Sequence, residues 1–255
     1  MSGPRPPIAA RELVVLGEFR GLLFIDKPAG LQTEPDTRHA DTLVTRIAAQ
    51  LGLPRAQIHA LSRLDTAVSG VVTLGLTSEA RKLVTEWREQ GRFRRRYLAL
   101  ATGHASDSAG AWSESIGRAS GNLRRVGGRN SEVARTQYAV SASSPVFERA
   151  TPRQLHLLAL SPETGRTHQL RVHAAAHGLP LLGDRAYGGQ ARLTSETGSV
   201  RSFDRIALHA AWVELPLAEP QRFEAAVPRE LTDIWRDFAG NEGAFATAAH
   251  GSLTD

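Results

Sequence analysis

The 255-residue chain has no cysteine, so disulfides and thiolate metal sites are excluded. Aromatic residues make up only 6% of it, so the core must rest on Leu, Val, Ile and Ala. No apolar run is long enough to cross a bilayer. Met1 to Ala10 carries three prolines and one arginine but no apolar signal core, so a cytoplasmic location is expected. Glycine motifs of the GxGxxG or GxxxxGK[ST] kind are missing, which leaves nothing to bind a dinucleotide or a nucleotide triphosphate. Ala67-Val68-Ser69-Gly70 lacks the first glycine of a nucleophile elbow, which argues against a serine hydrolase.

Arginine is what the chain has in quantity. Lys and Arg total 31 against 26 Asp and Glu, giving a net charge of +5, and arginine carries nearly all of the positive charge. Its planar fork grips phosphate with two parallel hydrogen bonds, as the lysine ammonium cannot. Such a balance fits a nucleic-acid binder, and equally an arginine-rich proteome. Two clusters stand out: Arg92, Arg94, Arg95 and Arg96, and then Arg118, Arg124, Arg125 and Arg129 in a Gly/Ser-rich stretch from Trp112 to Ser131. Each reads either as a solvated edge or as a clamp on a phosphate backbone, and the clamp is preferred.

Residues 1–12 read as a disordered tail, residues 13–238 as one catalytic domain, and residues 239–255 as a second disordered tail rich in Gly, Ala, Ser and Thr. Leu22 to Ile25, stopped by Asp26-Lys27-Pro28-Ala29-Gly30, reads as a strand and turn. Further strands are expected at Val71 to Leu76, Tyr97 to Ala101, Thr136 to Val140, Leu155 to Leu160 and Ile206 to Leu215. Helical spacing marks Leu43, Ile47, Ala48 and Leu51. It recurs at Ala80, Leu83, Val84 and Trp87 behind an N-cap at Thr77, in Thr167 to His177, and at Leu231, Ile234, Trp235 and Phe238. Strands outnumber helices without regular alternation, so the fold is read as α+β with a mostly antiparallel mixed sheet.

His173 and His177 have the i, i+4 spacing of a chelating pair, but Ala174 stands where a zincin-type site places a Glu. Two histidines near a helix C-terminus explain the pattern without a metal, and none is expected. Richer chemistry lies in His59 to Gly70, around Ser62-Arg63-Leu64-Asp65, and in Thr164-Gly165-Arg166-Thr167-His168-Gln169-Leu170-Arg171-Val172-His173 followed by Gly183-Asp184-Arg185-Ala186-Tyr187-Gly188. Together they supply an isolated carboxylate and several guanidiniums, while Tyr97 adds an aromatic ring.

These segments, in this order, resemble the RluA family of pseudouridine synthases. Ser62 to Gly70 matches the family's H-R-L-D-x-x-T-S-G-type motif with two departures, Ser62 for His and Val68 for Thr. Arg96-Tyr97-Leu98-Ala99 matches its Y-x-A motif, and Thr164 to Gly188 matches T-G-R-T-H-Q-[IL]-R-V-H with G-D-x-x-Y-G. Weaker echoes are Lys27 to Leu31, Thr136-x-Tyr138 and Leu208-His209-Ala210. The resemblance implies a sheet with flanking helices and a central RNA-binding cleft, isomerising a uridine of ribosomal or transfer RNA without a cofactor. It assigns the catalytic carboxylate to Asp65, its partner to Arg171 and stacking on uracil to Tyr97. Arg63 would fill the space left by the flipped base, Arg166 and His168 would shape the pocket, and Arg96, Arg124 and Arg125 would contact the RNA. Many members carry an S4-type domain ahead of the catalytic one. About twenty residues precede the first strand here, too few for such a domain. A monomer acting on structured RNA is expected, with a non-catalytic RNA-binding protein on the same fold as the alternative.

Overall fold

The computed structural model describes residues 12–37, 39–148, 151–195, 198–238, 241 and 243–253. The first expected tail falls almost entirely outside them. In chain order the elements are β1 (Val14–Phe19), β2 (Leu22–Lys27), α1 (Leu43–Leu51), β3 (His59–Ala60), β4 (Ser69–Gly75), α2 (Ser78–Glu89) and β5 (Arg94–Gly103). There follow β6 (Ala109–Trp112), β7 (Ile116–Arg118), β8 (Arg124–Val126), β9 (Arg129–Glu132), β10 (Thr136–Glu148), β11 (Thr151–Pro162) and α3 (Gln169–Ala176). The chain continues through β12 (Arg192–Thr194), β13 (Val200–Ser202), β14 (Leu208–Leu215), β15 (Gln221–Glu224), α4 (Arg229–Asp237) and α5 (Ala244–His250).

One large sheet runs in the order β1-β2-β4-β14-β5-β11-β10-β12-β13, and its pairs are antiparallel except for β4 with β14. The fold is α+β with a mostly antiparallel sheet, as the pattern of strands predicts. Both faces of the sheet are covered, which explains why β5 and β14 read as nearly unbroken apolar runs. On β5, Tyr97, Ala99 and Ala101 join the core shared with α1 and α3, while Leu98 and Leu100 point to the core shared with α4 and α5.

Residues 243–253 correct the sequence reading of a disordered tail. Ala244, Phe245, Ala248 and Ala249 form a buried stripe on α5, packed with Leu98, Leu100 and Trp212. Small side chains made this segment look like low-complexity tail, yet they let a helix lie close to the sheet. The second arginine cluster also departs from the loop expected for it. Arg118, Arg124 and Arg129 lie on a separate three-stranded sheet, β8-β7-β9. Gly117 and Gly128 make that pairing tight, since a Cβ on Gly117 would stand 2.3 Å from the Gly128 oxygen.

Candidate active site

Asp65 sits in the turn between β3 and β4, and its neighbours on both sides are tied to the segment after β2. The Thr33 hydroxyl donates to Leu64 O at 3.0 Å and accepts from Leu64 N–H at 3.2 Å. Gly30 N–H donates to Thr66 O at 2.6 Å. Beneath them the fully buried Lys27 ammonium donates to Leu31 O at 2.7 Å and Pro28 O at 3.0 Å, and approaches Thr66 O at 3.5 Å. Burial, and then the charge of Arg205, lowers the Lys27 pKa to about 7, with Asp65 and Asp26 pulling the other way. Past the turn, Gly70 lies at φ +113, and a Cβ there would meet Ala210 O at 2.2 Å. Only glycine lets β4 join β14 so close to Asp65.

The departures from the family motif have structural occupations. Ser62 Oγ accepts from Thr73 N–H at 2.8 Å, and Val68 is buried in the core.

Arg171 on α3 meets Asp65 across the cleft. Its Nη1 donates to Asp65 Oδ2 at 2.6 Å, while Nε and Nη2 donate to the two Asp184 oxygens at 2.7 and 2.8 Å. The fork therefore spends one edge on Asp184, which is 1% exposed, and aims the remaining nitrogen at Asp65. Burial works against the charge of Arg171, but the two carboxylates outweigh it and hold its pKa above the usual guanidinium value. The Asp65 side chain keeps 31% of its surface open to the cleft.

His168 ends the turn before α3 in the left-handed region at φ 58. That is why the helix starts at Gln169 and not at Thr167. Gln169 secures the turn: its Oε1 accepts from Thr164 Oγ1 at 2.6 Å and Arg166 N–H at 3.0 Å, and its Nε2 donates to Arg135 O at 2.9 Å. The unfavourable backbone angle brings His168 Nε2 to 3.8 Å from Asp65 Oδ1 and Nδ1 to 2.7 Å from the Tyr187 hydroxyl. That hydroxyl also accepts from Arg124 N–H at 3.0 Å. Burial lowers the His168 pKa, ahead of the opposing pull of Asp65, which favours the neutral ring. Tyr187 also lies under the Arg171 guanidinium, 4.9 Å from its carbon.

A cleft of about 640 Å³ opens over this constellation, bordered by Arg63, Asp65, Tyr97, Arg166, His168 and Arg171. Tyr97 is buried, and burial raises its pKa, so it remains a phenol at neutral pH. Arg63 stands at the rim, with 69% of its side chain exposed and Glu34 3.6 Å away. Arg166 pairs with Glu132 and donates from Nε to Val133 O at 3.0 Å, fastening β9 to the turn.

Arg96, Arg124 and Arg125 do not border the cleft. Alternation along β5 sends Arg96 to the opposite face, where it lies over Trp212 and donates to Gly251 O at 3.1 Å beyond α5. Arg95, on the Tyr97 face, takes the place expected for it. The strand is interior to the sheet, so the first arginine cluster is not a charged edge. Arg124 and Arg125 lie on the small sheet, and Arg124 bonds Tyr187 through its main chain while its charge acts on His168. Asp184, Tyr187 and Thr33 received no role from the sequence, although the first two stand in the quoted G-D-x-x-Y-G segment, and Arg95 was read only as one member of the first arginine cluster. His173 is a structural residue: its nitrogens lie 2.9 Å from Thr136 Oγ1 and 3.0 Å from Glu114 O. Among the described residues no cluster of His, Asp and Glu has the make-up of a metal site.

The cleft thus gathers an ion-paired carboxylate, a buried tyrosine and several arginines. The sequence profile of the family described as RNA pseudouridylate synthase matches residues 21–176. The chain belongs to this family of isomerases, which convert uridine to pseudouridine in RNA. It is 32% identical over 234 residues to an uncharacterized RNA pseudouridine synthase of Bacillus subtilis, covering 89% of this chain and 72% of that one. It is 35% identical over 216 residues to ribosomal large subunit pseudouridine synthase D of Pseudomonas aeruginosa, covering 80% of this chain and 64% of that one. The solved structure of human RNA pseudouridylate synthase domain containing 1 superposes with a TM-score of 0.64 at 25% identity, covering 88% and 86% of the two chains.

Proposed function

We propose that the chain isomerises a uridine in structured RNA, with ribosomal RNA the substrate favoured by the Pseudomonas relative, and that Asp65 is the catalytic carboxylate. The observation that carries this reading is the 2.6 Å contact between Asp65 Oδ2 and Arg171 Nη1 at the open face of the cleft. Pseudouridine formation breaks the N1–C1′ bond, turns the uracil and joins C5 to C1′, without any redox change. The Asp65 carboxylate either attacks C1′ as the electron pair leaves with N1, or takes the C2′ proton to give a glycal. In both routes the C5 proton is lost and N1 regains one, so uridine and pseudouridine are isomers.

Tyr97 offers its ring face to the uracil. As a phenol it hydrogen-bonds to the base rather than acting as a strong base toward C5. The uridine must leave its stack to reach Asp65, at a cost of a few kcal/mol. Arg63, exposed at the rim, is placed to enter the space left behind. Arg124 and Arg125 on the small sheet take phosphate contacts outside the cleft. The protein works as a monomer in the cytoplasm. An intact ion pair between Asp65 and Arg171 speaks against a decayed, purely RNA-binding role.

Mapping pseudouridine in ribosomal and transfer RNA from cells with and without the gene tests the reading. At least one site should vanish on deletion and return with the wild-type gene but not with Asp65→Asn. Identical maps, or full rescue by the variant, contradict it.

A further inference from the structure

Five arginines border the cleft, and three of them meet a carboxylate. Arg63 has Glu34, Arg166 has Glu132, and Arg171 has Asp65 and Asp184. Arg88 and Arg95 have none among the described residues. Arg95 is 9% exposed, and its Nη2 donates to Pro162 O at 2.9 Å and Thr164 O at 3.0 Å. Its Nε is buried without a hydrogen-bond partner among the described residues. Its Nη1 makes no hydrogen bond among the described residues and lies beside Gly165, where an added Cβ would be 3.8 Å away. The missing side chain leaves that nitrogen uncovered. Arg88 Nη2 donates to Leu61 O at 2.7 Å, and its guanidinium lies 5.2 Å from the Phe93 ring. Partial burial, and then the like charge of Arg95, lowers the Arg88 pKa to about 10.

Carbonyl oxygens satisfy N–H groups but do not neutralise charge, so two neighbouring guanidiniums without a counter-ion are an unfavourable arrangement in the empty protein. An anion in the cleft would reverse the sign of that contribution. Two other carboxylates border the cleft. Glu163 is held by Arg135 at 3.1 Å and Gln137 at 2.9 Å, and Glu89 pairs with neither arginine among the described residues. Arg88, Arg95 and Asp65 all act electrostatically on Tyr97, which places the pair within the uridine site's own cleft.

We propose that Arg88 and Arg95 form a phosphate subsite that holds a phosphodiester next to the extruded uridine. This rests on the cleft being the RNA site. Neutralising one flanking phosphate would fix the backbone while the base turns over Tyr97, and Nη1 of Arg95 with one nitrogen of Arg88 suits the two free oxygens of a diester.

The test uses ribosomal RNA transcribed in vitro and the full chain as wild type, Arg88→Gln, Arg95→Gln and Gly165→Ala. Arg88 is solvent-accessible, so its variant should fold even if Arg95→Gln does not. Arg88→Gln should weaken binding about tenfold at low salt and lower the slope of log affinity against log salt by about one. Gly165→Ala, which covers Nη1 with a methyl group, should weaken binding severalfold. Uridine 3′- or 5′-monophosphate should displace the RNA from wild type about tenfold better than uridine does, and no better than uridine from Arg88→Gln. A folded Arg88→Gln with unchanged affinity and slope overturns the subsite, as does a wild type that treats the monophosphates and uridine alike. The outcome is separable from the catalytic assignment: an Asp65→Asn protein with full turnover would refute the carboxylate's role and leave these affinities untouched. Salt-independent binding by wild type would instead remove the RNA reading itself.

Discussion

Lys27 has no solvent contact, yet its ammonium reaches main-chain carbonyls of the segment after β2 and of Thr66 in the Asp65 turn. Its pKa of about 7 in the folded chain lies below the ordinary 10.5 that applies when unfolded. Between these values the unfolded chain holds the proton more often, so the contribution of this site to stability rises as pH climbs from about 7 to about 10. Below pH 7 the cost of burying the charge is felt in full. Relative to Lys27→Met, wild type should therefore gain stability across that window, measured as denaturation midpoints at pH 7 and pH 10. A difference that stays flat with pH contradicts the assignment. The sequence offered Lys27 as no more than one residue of a faint motif echo. Asp65, Tyr97 and Arg171 were legible because their segments match a family pattern, and the structure brings all three to one cleft. Asp184 was not, because nothing in a sequence says that a carboxylate thirteen residues beyond Arg171 will occupy the other edge of its fork.

At the scale of elements, the short 3₁₀ turn Arg185–Tyr187 links the arginine-bearing small sheet to Asp65. Tyr187 accepts from the main chain of β8 and bonds the ring that faces Asp65. Tyr187→Phe removes both hydrogen bonds and keeps the ring under Arg171. Single-turnover rates should fall about tenfold, the size of one or two lost hydrogen bonds, with RNA affinity changed much less. An unchanged rate, or a loss confined to affinity, would make Tyr187 a packing residue. The helix expected over Thr167 to His177 is present but starts later, because periodicity does not register one left-handed residue. Alternation along β5 could have separated Arg95 from Arg96, since residues on one strand face change every position. Which face carried the cleft became clear only when β11 and β14 took their places on either side.

For the whole molecule, strand content and irregular order were enough to predict an α+β fold with a mostly antiparallel sheet. The parallel joint between β4 and β14 was not visible, since it depends on Gly70, where a Cβ would stand 2.2 Å from Ala210 O. The closing helix α5 was missed because an Ala-rich stripe has little hydrophobic contrast. Phe245→Ala should lower unfolding free energy by about 3–5 kcal/mol in a denaturant titration, as expected for a large core side chain. An unchanged midpoint would restore the reading of a loose tail. All of this architecture serves to hold one carboxylate against one guanidinium above an open cleft. The most direct test is tritium release from C5-tritiated uridine in RNA by purified Asp65→Asn, beside wild type and with circular dichroism to confirm folding. The account predicts a folded variant whose release falls to background. A folded variant that releases tritium at the wild-type rate would contradict it.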